Sequence, residues 1–190
     1  DRASKRPHKR QDQPQKWIVS SSHLVSEKAV ELSEVEYGLI AASNAFGMWM
    51  VKAMSAALAE MEISADLGVL DILCLHSVNH RGHAKKLADI CFKLNVKDSH
   101  TVNYALKKLL KYGLVQSEKQ GKEVFYGTTK LGQALCMAYR DVRESCLVDE
   151  YAAFDGGSGK PNAASLSEVA RQLRLLSGLY YQAARSATSF

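Results

Sequence analysis

One stretch of the sequence, residues 98–115, limits the possible fold more than any other. It reads DSHTVNYALKKLLKYGLV. Its apolar residues follow the i, i+3, i+4 and i+7 spacing of a helix with one buried face: Val102, Ala105, Leu106 and Leu109. Asp98 or Ser99 can cap the start of this helix, and Gly113 suits the left-handed residue that often closes one. The stretch therefore predicts an amphipathic helix of about four turns with defined ends.

The face opposite this stripe carries side chains of the kinds that hydrogen-bond to base edges and phosphates. They are Ser99, His100, Asn103, Tyr104, Lys107 and Lys111. The hydroxyl, imidazole, amide and phenol groups lie in the first two turns, which enter the major groove in helix-turn-helix docking, and the lysines come later, where a helix end passes the backbone. The pattern favours a DNA-reading helix, although the solvated face of an ordinary surface helix can look similar.

The distribution of charge along the chain favours the first interpretation. The formal net charge of +5 divides into +4 for residues 1–16, −6 for 17–80, +7 for 81–122 and zero for 123–190. Positive charge is thus concentrated in the first residues and in the segment that holds the predicted reading helix. Such concentration is typical of a nucleic-acid-binding face.

The residues before the reading helix predict two shorter helices. One covers residues 66–80, with Asp66 as a possible cap, and the other lies in HAKKLADICFKL, residues 83–94. In the second helix the apolar stripe is Leu87, Ile90, Cys91 and Leu94, and the lysines that face water are Lys85, Lys86 and Lys93. A turn at residues 95–97 joins it to the reading helix. Two short helices joined in this way, the second of them amphipathic and basic, form a helix-turn-helix.

The residues after the reading helix predict a β-hairpin wing. Leu114 and Val115 begin one strand, residues 118–122 form a polar turn, and residues 124–126 form the return strand. Lysines at the tip suit a phosphate contact, but exposed lysines also protect a hairpin edge from aggregation.

Long apolar helices are predicted on both sides of this domain. The first runs from Ser33 or Glu34 to about residue 61, with a Ser33–Glu36 capping box, and is apolar on nearly all sides. Its methionines and aromatic residues suit helix packing, and they can also wall a cavity for a small apolar ligand. Thr129 caps a helix over residues 130–154, and a last helix starts at Ser165. The stripe of the last helix is Leu166, Val169, Leu173, Leu176 and Tyr180. The economical arrangement pairs these terminal helices with their copies in a second subunit.

Two further predictions concern the first 16 residues and the cellular compartment of the protein. Residues 1–16 are rich in Lys and Arg, contain two prolines and predict a disordered basic arm, which either contacts DNA or has no role. No apolar run approaches the roughly 18 residues of a membrane span, and the N-terminus lacks the apolar core of a secretory signal. We therefore predict a cytoplasmic protein without a membrane partner.

The sequence predicts neither an enzyme nor a cofactor. The four cysteines, Cys74, Cys91, Cys136 and Cys146, lie in apolar helical sequence without CxxC spacing, which suits reduced, buried thiols. A redox-sensing cysteine is the alternative. A metal-like spacing occurs in Cys74, His76, His80 and His83, but His83 opens a helix and His76 can satisfy a helix end, so we predict no metal site. No nucleophile, base and orienting residue stand at a recognisable spacing.

In their order and spacing, these elements resemble the winged helix-turn-helix regulators of the MarR family over about residues 34–190. The residues that carry the resemblance are Ser99-x-Thr101-Val102, Leu109-x-x-x-Gly113-Leu114-Val115 and Thr129-x-x-Gly132. The resemblance implies a homodimer built on the terminal helices, two reading helices in successive major grooves of a pseudo-palindromic site, and wings on the adjacent backbone. It also implies, as in many relatives, a small aromatic or phenolic effector bound between the dimerisation and DNA-binding parts.

Two details refine the resemblance. The wing tip, Lys119-Gln120-Gly121-Lys122, departs from the Asp and Arg pair that is usual in the family, which puts an Arg in the minor groove in doubt. The first long helix, around Phe46 and Trp49, is similar to that of alphaproteobacterial cell-wall-remodelling regulators of the LdtR type.

We therefore predict a mainly α fold with a small β-hairpin wing, in which a winged helix-turn-helix domain is flanked by N- and C-terminal dimerisation helices. The predicted divisions are a basic arm (1–16), an N-terminal dimerisation region (17–65), the winged domain (66–128), and a long helix with a C-terminal dimerisation helix (129–190). The predicted DNA-binding residues are Lys85, Lys86, Asp98, Ser99, His100, Thr101, Asn103, Tyr104, Lys107, Lys119 and Lys122. The predicted effector-binding residues are Phe46, Trp49, Met50 and His76. The predicted partners are double-stranded DNA, a second copy of the chain and a small aromatic effector. The alternatives are a metal-sensing repressor and a winged module that binds proteins without reading bases.

Overall fold

Helices make up most of the computed structural model, which describes residues 29–149 and 163–188. Over these residues the elements are α1 (Val30–Glu60), α2 (Val69–Asn79), β1 (Lys85–Lys86), α3 (Leu87–Leu94), α4 (Ser99–Lys111), β2 (Val115–Gln120), β3 (Glu123–Thr128), α5 (Lys130–Arg143) and α6 (Ala163–Ala187). A short 3-10 turn covers His80–Gly82, and a π-helical turn covers Glu144–Val148. The predicted basic arm lies outside the described residues.

The sheet confirms the predicted fold class and adds one strand to it. The strands are antiparallel in the order β1-β3-β2, and β2 and β3 form the predicted wing. Lys85 and Lys86 form β1, paired with Tyr126 and Phe125 of β3, so the prediction that these lysines lie on a helix and face water is wrong. Backbone pairing with β3, about 40 residues further along the chain, overrides the local pattern here.

The core of the winged domain contains the predicted stripe of α4, and Ile90 is the buried member of the predicted stripe of α3. The apolar face of α4 is completely buried, because Val102, Leu106 and Leu109 are 0% exposed and Ala105 is 1% exposed. The other fully or almost fully buried aliphatic side chains of this part of the chain include Ile72, Leu75 and Val78 of α2, Ile90 of α3, Leu114 before β2, and Leu135 of α5. Burial of each large aliphatic side chain contributes roughly 1.5–3 kcal/mol. The outward face of α4 is thereby fixed as well.

Several helix ends differ from their predicted positions. Helix α1 begins at Val30, which leaves Ser33 and Glu36 inside the helix rather than in a capping box. Helix α2 begins after Gly68 instead of Asp66, and the Asp71 carboxylate accepts a hydrogen bond of 2.9 Å from the Gly68 N–H. Helix α5 stays α-helical only to Arg143, and the part of its predicted length beyond residue 149 lies outside the described residues.

The two terminal helices expose apolar side chains. The chain divides into two units, residues 1–49 and 50–190, and α1 contributes to both. In the first unit the exposed apolar residues of α1 are Leu32, Val35, Tyr37, Ile40, Phe46 and Met48. In the second unit those of α6 are Leu166, Val169, Leu173, Leu175, Leu179 and Tyr181. Within the described ranges, no helix has an apolar stretch long enough for a bilayer.

The cysteines differ in burial. Burial, reinforced by the nearby Asp71 charge, raises the pKa of Cys74 to about 12, and burial raises the pKa of Cys136 to about 11. Cys91 is partly exposed and its pKa is raised by desolvation. Cys146, in the π-helical turn, is exposed, so the prediction of a buried thiol is wrong for this residue.

Candidate nucleic-acid interface

The start of α4 is fixed by the residues that the sequence singled out. The Asp98 carboxylate accepts a hydrogen bond of 2.9 Å from the His100 N–H, and the Thr101 hydroxyl donates one of 2.8 Å to the Asp98 carbonyl. The carboxylate also lies at the positive end of the helix dipole. Asp98 is therefore the N-cap, as predicted. The side chains of Asp98 and Thr101 thus both have backbone partners, and these hydrogen bonds stabilise the first turn.

The outward face of α4 remains open to solvent. Tyr104 is 74% exposed. Ser99, His100, Lys107 and Lys111 are also exposed, and Asn103 is half-buried. Donors and acceptors of several kinds thus project from a helix whose opposite face is fully buried. This arrangement can place hydrogen-bonding groups against base edges in a major groove, with lysines further along for phosphates.

The end of α4 is joined to the start of α5. Gly113 has a φ of 68°, as a closing residue in the left-handed region requires. The Thr129 hydroxyl donates to the Gly113 carbonyl over 2.7 Å and accepts from the Gly132 N–H over 3.0 Å. One hydroxyl therefore caps α5, as predicted, and also joins α5 to the residue that follows α4.

The wing has a tighter turn than the sequence suggested. Gln120 pairs with Glu123, so Gly121 and Lys122 alone form the turn, and Gly121 has a φ of 64°. Lys119 and Lys122 are exposed near this tip. Lys86 also reaches the wing, where its ammonium forms an ion pair with Glu123 and lies 5.4 Å from the centre of the Phe125 ring. Part of its charge is therefore offset within the wing.

Lys85 has a structural role that sequence reasoning missed. Its ammonium donates to three carbonyl oxygens, those of Val78 at 3.1 Å, His80 at 2.6 Å and His83 at 3.0 Å. Desolvation and the nearby Lys93 lower the pKa of Lys85. These bonds hold the 3-10 turn in which Arg81 has a φ of 63°. Because all three protons have partners, we leave Lys85 out of the candidate interface.

The four predicted effector residues fall in both units. Phe46 and Trp49 belong to the first unit, where Phe46 is 58% exposed. Met50 and His76 belong to the second unit, where Met50 is buried. The His76 ring lies 4.8 Å from the Tyr139 ring, its Nε2 is buried without a hydrogen-bond partner, and burial lowers its pKa.

Two cationic contacts of the winged domain were also missed. Lys108 forms an ion pair with Asp71 of α2, and Lys97 lies 5.5 Å from the centre of the Tyr181 ring of α6. No local sequence pattern predicts either contact, because the partners are distant in sequence.

In the part of the chain that the structure describes, no group of three His, Cys, Asp or Glu residues is placed to hold a metal ion.

Known proteins resemble the chain in both sequence and fold. Residues 67–132, from just before α2 into the first turn of α5, match the winged helix DNA-binding domain family. Comparison with functionally curated proteins gives no match. Among solved structures, AbfR of Staphylococcus epidermidis is 16% identical, with 80% of this chain and 95% of that chain covered and a TM-score of 0.56.

Two further solved structures are similar to this chain in fold. Reduced AbfR bound to DNA is 18% identical, with 79% of this chain and 97% of that chain covered and a TM-score of 0.54. A MarR transcriptional regulator from Methanosarcina mazei Go1 is 13% identical, with 77% and 97% covered and a TM-score of 0.56. At these identities the likeness shows a shared fold. Residues 67–132 thus have the winged helix fold.

Proposed function

We propose that the protein is a homodimeric transcriptional regulator of the MarR type, which binds specific double-stranded DNA in the cytoplasm. The observation that carries the proposal is the α4 helix, whose inner face is completely buried and whose outer face offers His100, Asn103, Tyr104 and Lys107. A net charge of +7 over residues 81–122 supports it, because cationic surfaces attract the phosphate backbone. The narrower likeness to LdtR-type regulators stays a prediction.

We assign the terminal helices to the dimer interface and keep the predicted divisions 17–65, 66–128 and 129–190. Single chains rarely expose many large apolar side chains along a helix, and such surfaces mark interfaces. Both α1 and α6 carry rows of them, as described above. A two-fold dimer would place two α4 helices about 34 Å apart, which is one turn of the duplex.

We further propose that a small aromatic effector, bound in the second unit at His76, tunes DNA binding. The unpartnered Nε2 of His76 supports this assignment, because a buried polar atom without a partner is a ready site for a ligand hydrogen bond. Adding candidate phenols or aromatic acids to the protein–DNA complex should weaken binding for at least one of them. If a compound releases the wild type from DNA but does not release a His76→Phe variant, release depends on this residue.

Selection from a randomised DNA pool tests the main proposal. The wild type should enrich a pseudo-palindromic sequence and bind it in a strongly salt-dependent manner, with an affinity at least about 10³-fold above that for random DNA. Equal affinity for all sequences would instead favour a winged module that binds proteins. Sedimentation of the same sample should give a dimer, and a monomer would exclude the proposed geometry.

Two variants separate the roles within α4. Lys107→Ala should weaken binding to all sequences alike and lower the slope of log affinity against log salt by about 1. Asn103→Ala should instead relax discrimination at one base position, at a cost of roughly 1–3 kcal/mol for the preferred base. If the two variants behave in the opposite way, the assignments of phosphate and base contacts are wrong.

A further inference from the structure

We propose that Asp71 is a positioning residue for DNA recognition: through Lys108 it sets the pose of α4, and discrimination between DNA sequences depends on that pose. The inference rests on the proposed function, because it concerns the same helix. It adds a residue outside α4 that touches no base.

The contact joins two elements at a single atom. Asp71 Oδ2 accepts a hydrogen bond of 2.8 Å from Lys108 Nζ and another of 2.9 Å from the Gly68 N–H. The Asp71 side chain is 11% exposed and that of Lys108 is 28% exposed, so solvent screens the pair less than it would screen a surface pair. The hydrogen bond to Asp71 is the main cause of the raised pKa of Lys108. The first turn of α2 and the third turn of α4 are thereby fixed to each other.

Packing alone leaves room beside the first two turns of α4. A groove of about 440 Å³ lies between the two helices. It is lined by Leu70 and Asp71 of α2 and by His100, Thr101, Tyr104 and Ala105 of α4. His100, Tyr104 and Lys108 follow one another at intervals of four, so they form one row along α4. The near end of this row borders the open groove, and its far end is held by the ion pair.

In this geometry Lys108 has a different role from its neighbour Lys107. Lys107 is exposed on the outward face, where its charge is available to phosphates. The charge of Lys108 is already matched by Asp71 within the protein. Loss of the ion pair should therefore let the row of His100 and Tyr104 shift against the base edges, without removing a phosphate contact.

The decisive variant is Asp71→Asn. Asparagine keeps an oxygen that accepts from the Gly68 N–H, so the start of α2 is retained while the charge that holds Lys108 is lost. We expect the affinity for the selected DNA to fall by about tenfold and that for random DNA to change by less than about twofold. Lys108→Gln should have the same effect with an unchanged salt slope, whereas Lys107→Gln should lower the slope by about 1. Lys108→Arg, which can still pair with Asp71, should keep most of the discrimination.

A buried control separates positioning from general instability. Ile90→Val removes one methylene from the core of α3 and should lower the melting temperature without changing discrimination. All variants are compared at a temperature where circular dichroism shows each of them folded. The inference is overturned if Asp71→Asn discriminates as the wild type does, if Lys108→Gln lowers the salt slope, or if Ile90→Val loses discrimination to the same extent. A wild type without sequence preference would instead refute the proposed function itself.

Discussion

Gly132, in the first turn of α5, has no room for a side chain, and this makes Gly132→Ala a sharp test of the junction between α4, the wing and α5. A β-carbon there would lie 2.0 Å from the Leu114 carbonyl oxygen and 2.8 Å from Thr128 Cγ2, whereas ordinary contact begins at 3.4 Å. The start of α5 would therefore have to move by about 1.4 Å, which is the difference between ordinary contact at 3.4 Å and the 2.0 Å to the Leu114 oxygen. Such a movement would stretch the bonds that Thr129 makes to Gly113 and Gly132.

The size of the effect follows from three contributions. Overpacking typically costs about 1–3 kcal/mol, and a weakened helix cap costs about 1 kcal/mol more. Alanine offsets up to about 1 kcal/mol of this through its higher helix propensity. We expect a net loss of about 1–3 kcal/mol in the free energy of unfolding, or about 2–12 °C in melting temperature for a chain of this length.

Thermal unfolding followed by circular dichroism, at one fixed protein concentration, measures this loss. Gly127→Ala is the matched control, because a β-carbon at Gly127 of β3 meets nothing within 4 Å. The control should leave the melting temperature unchanged or raise it slightly. If both variants raise it alike, the start of α5 is not packed against the Leu114 carbonyl and the reasoning about this junction fails.

Three further outcomes are expected. Asp98→Ala removes the N-cap of α4 and should cost about 1 kcal/mol in urea unfolding, with a loss of selective DNA binding at low temperature that Asp98→Asn does not cause. Burial lowers the pKa of His76, so below its ordinary pKa the unfolded chain binds a proton that the folded chain does not. The free energy of unfolding should therefore fall by up to about 1.4 kcal/mol per pH unit from pH ~6.5 downward. His76→Phe should make the melting temperature depend less on pH in this range. Iodoacetamide should label Cys146 in the folded protein and leave Cys74 unlabelled until denaturant is added, as mass spectrometry of the peptides would show.

Local sequence was sufficient to predict the features of α4 and its ends. Its buried stripe, the Asp98 cap, the left-handed Gly113 and the Thr129 cap all depend on residues within a few positions of one another. Helical periodicity and capping chemistry act over that range, so each could be predicted without knowledge of the fold. The exact start of α1 could not, because a helix start without a strong capping residue has no sharp sequence signal.

The features that sequence reasoning missed depend on partners that are far apart in the chain. Lys85 looks like a solvated lysine until β1 pairs with β3 and brings its ammonium to the carbonyls of the preceding turn. Lys108 looks like a second phosphate contact beside Lys107 until α2, 37 residues earlier, supplies Asp71. In both cases the side chain is long and flexible, so its neighbours in three dimensions determine where its charge lies. Counting lysines therefore overstates the cationic surface that DNA can meet, and the lysines that remain exposed, Lys107 and Lys122 among them, should carry most of the salt dependence.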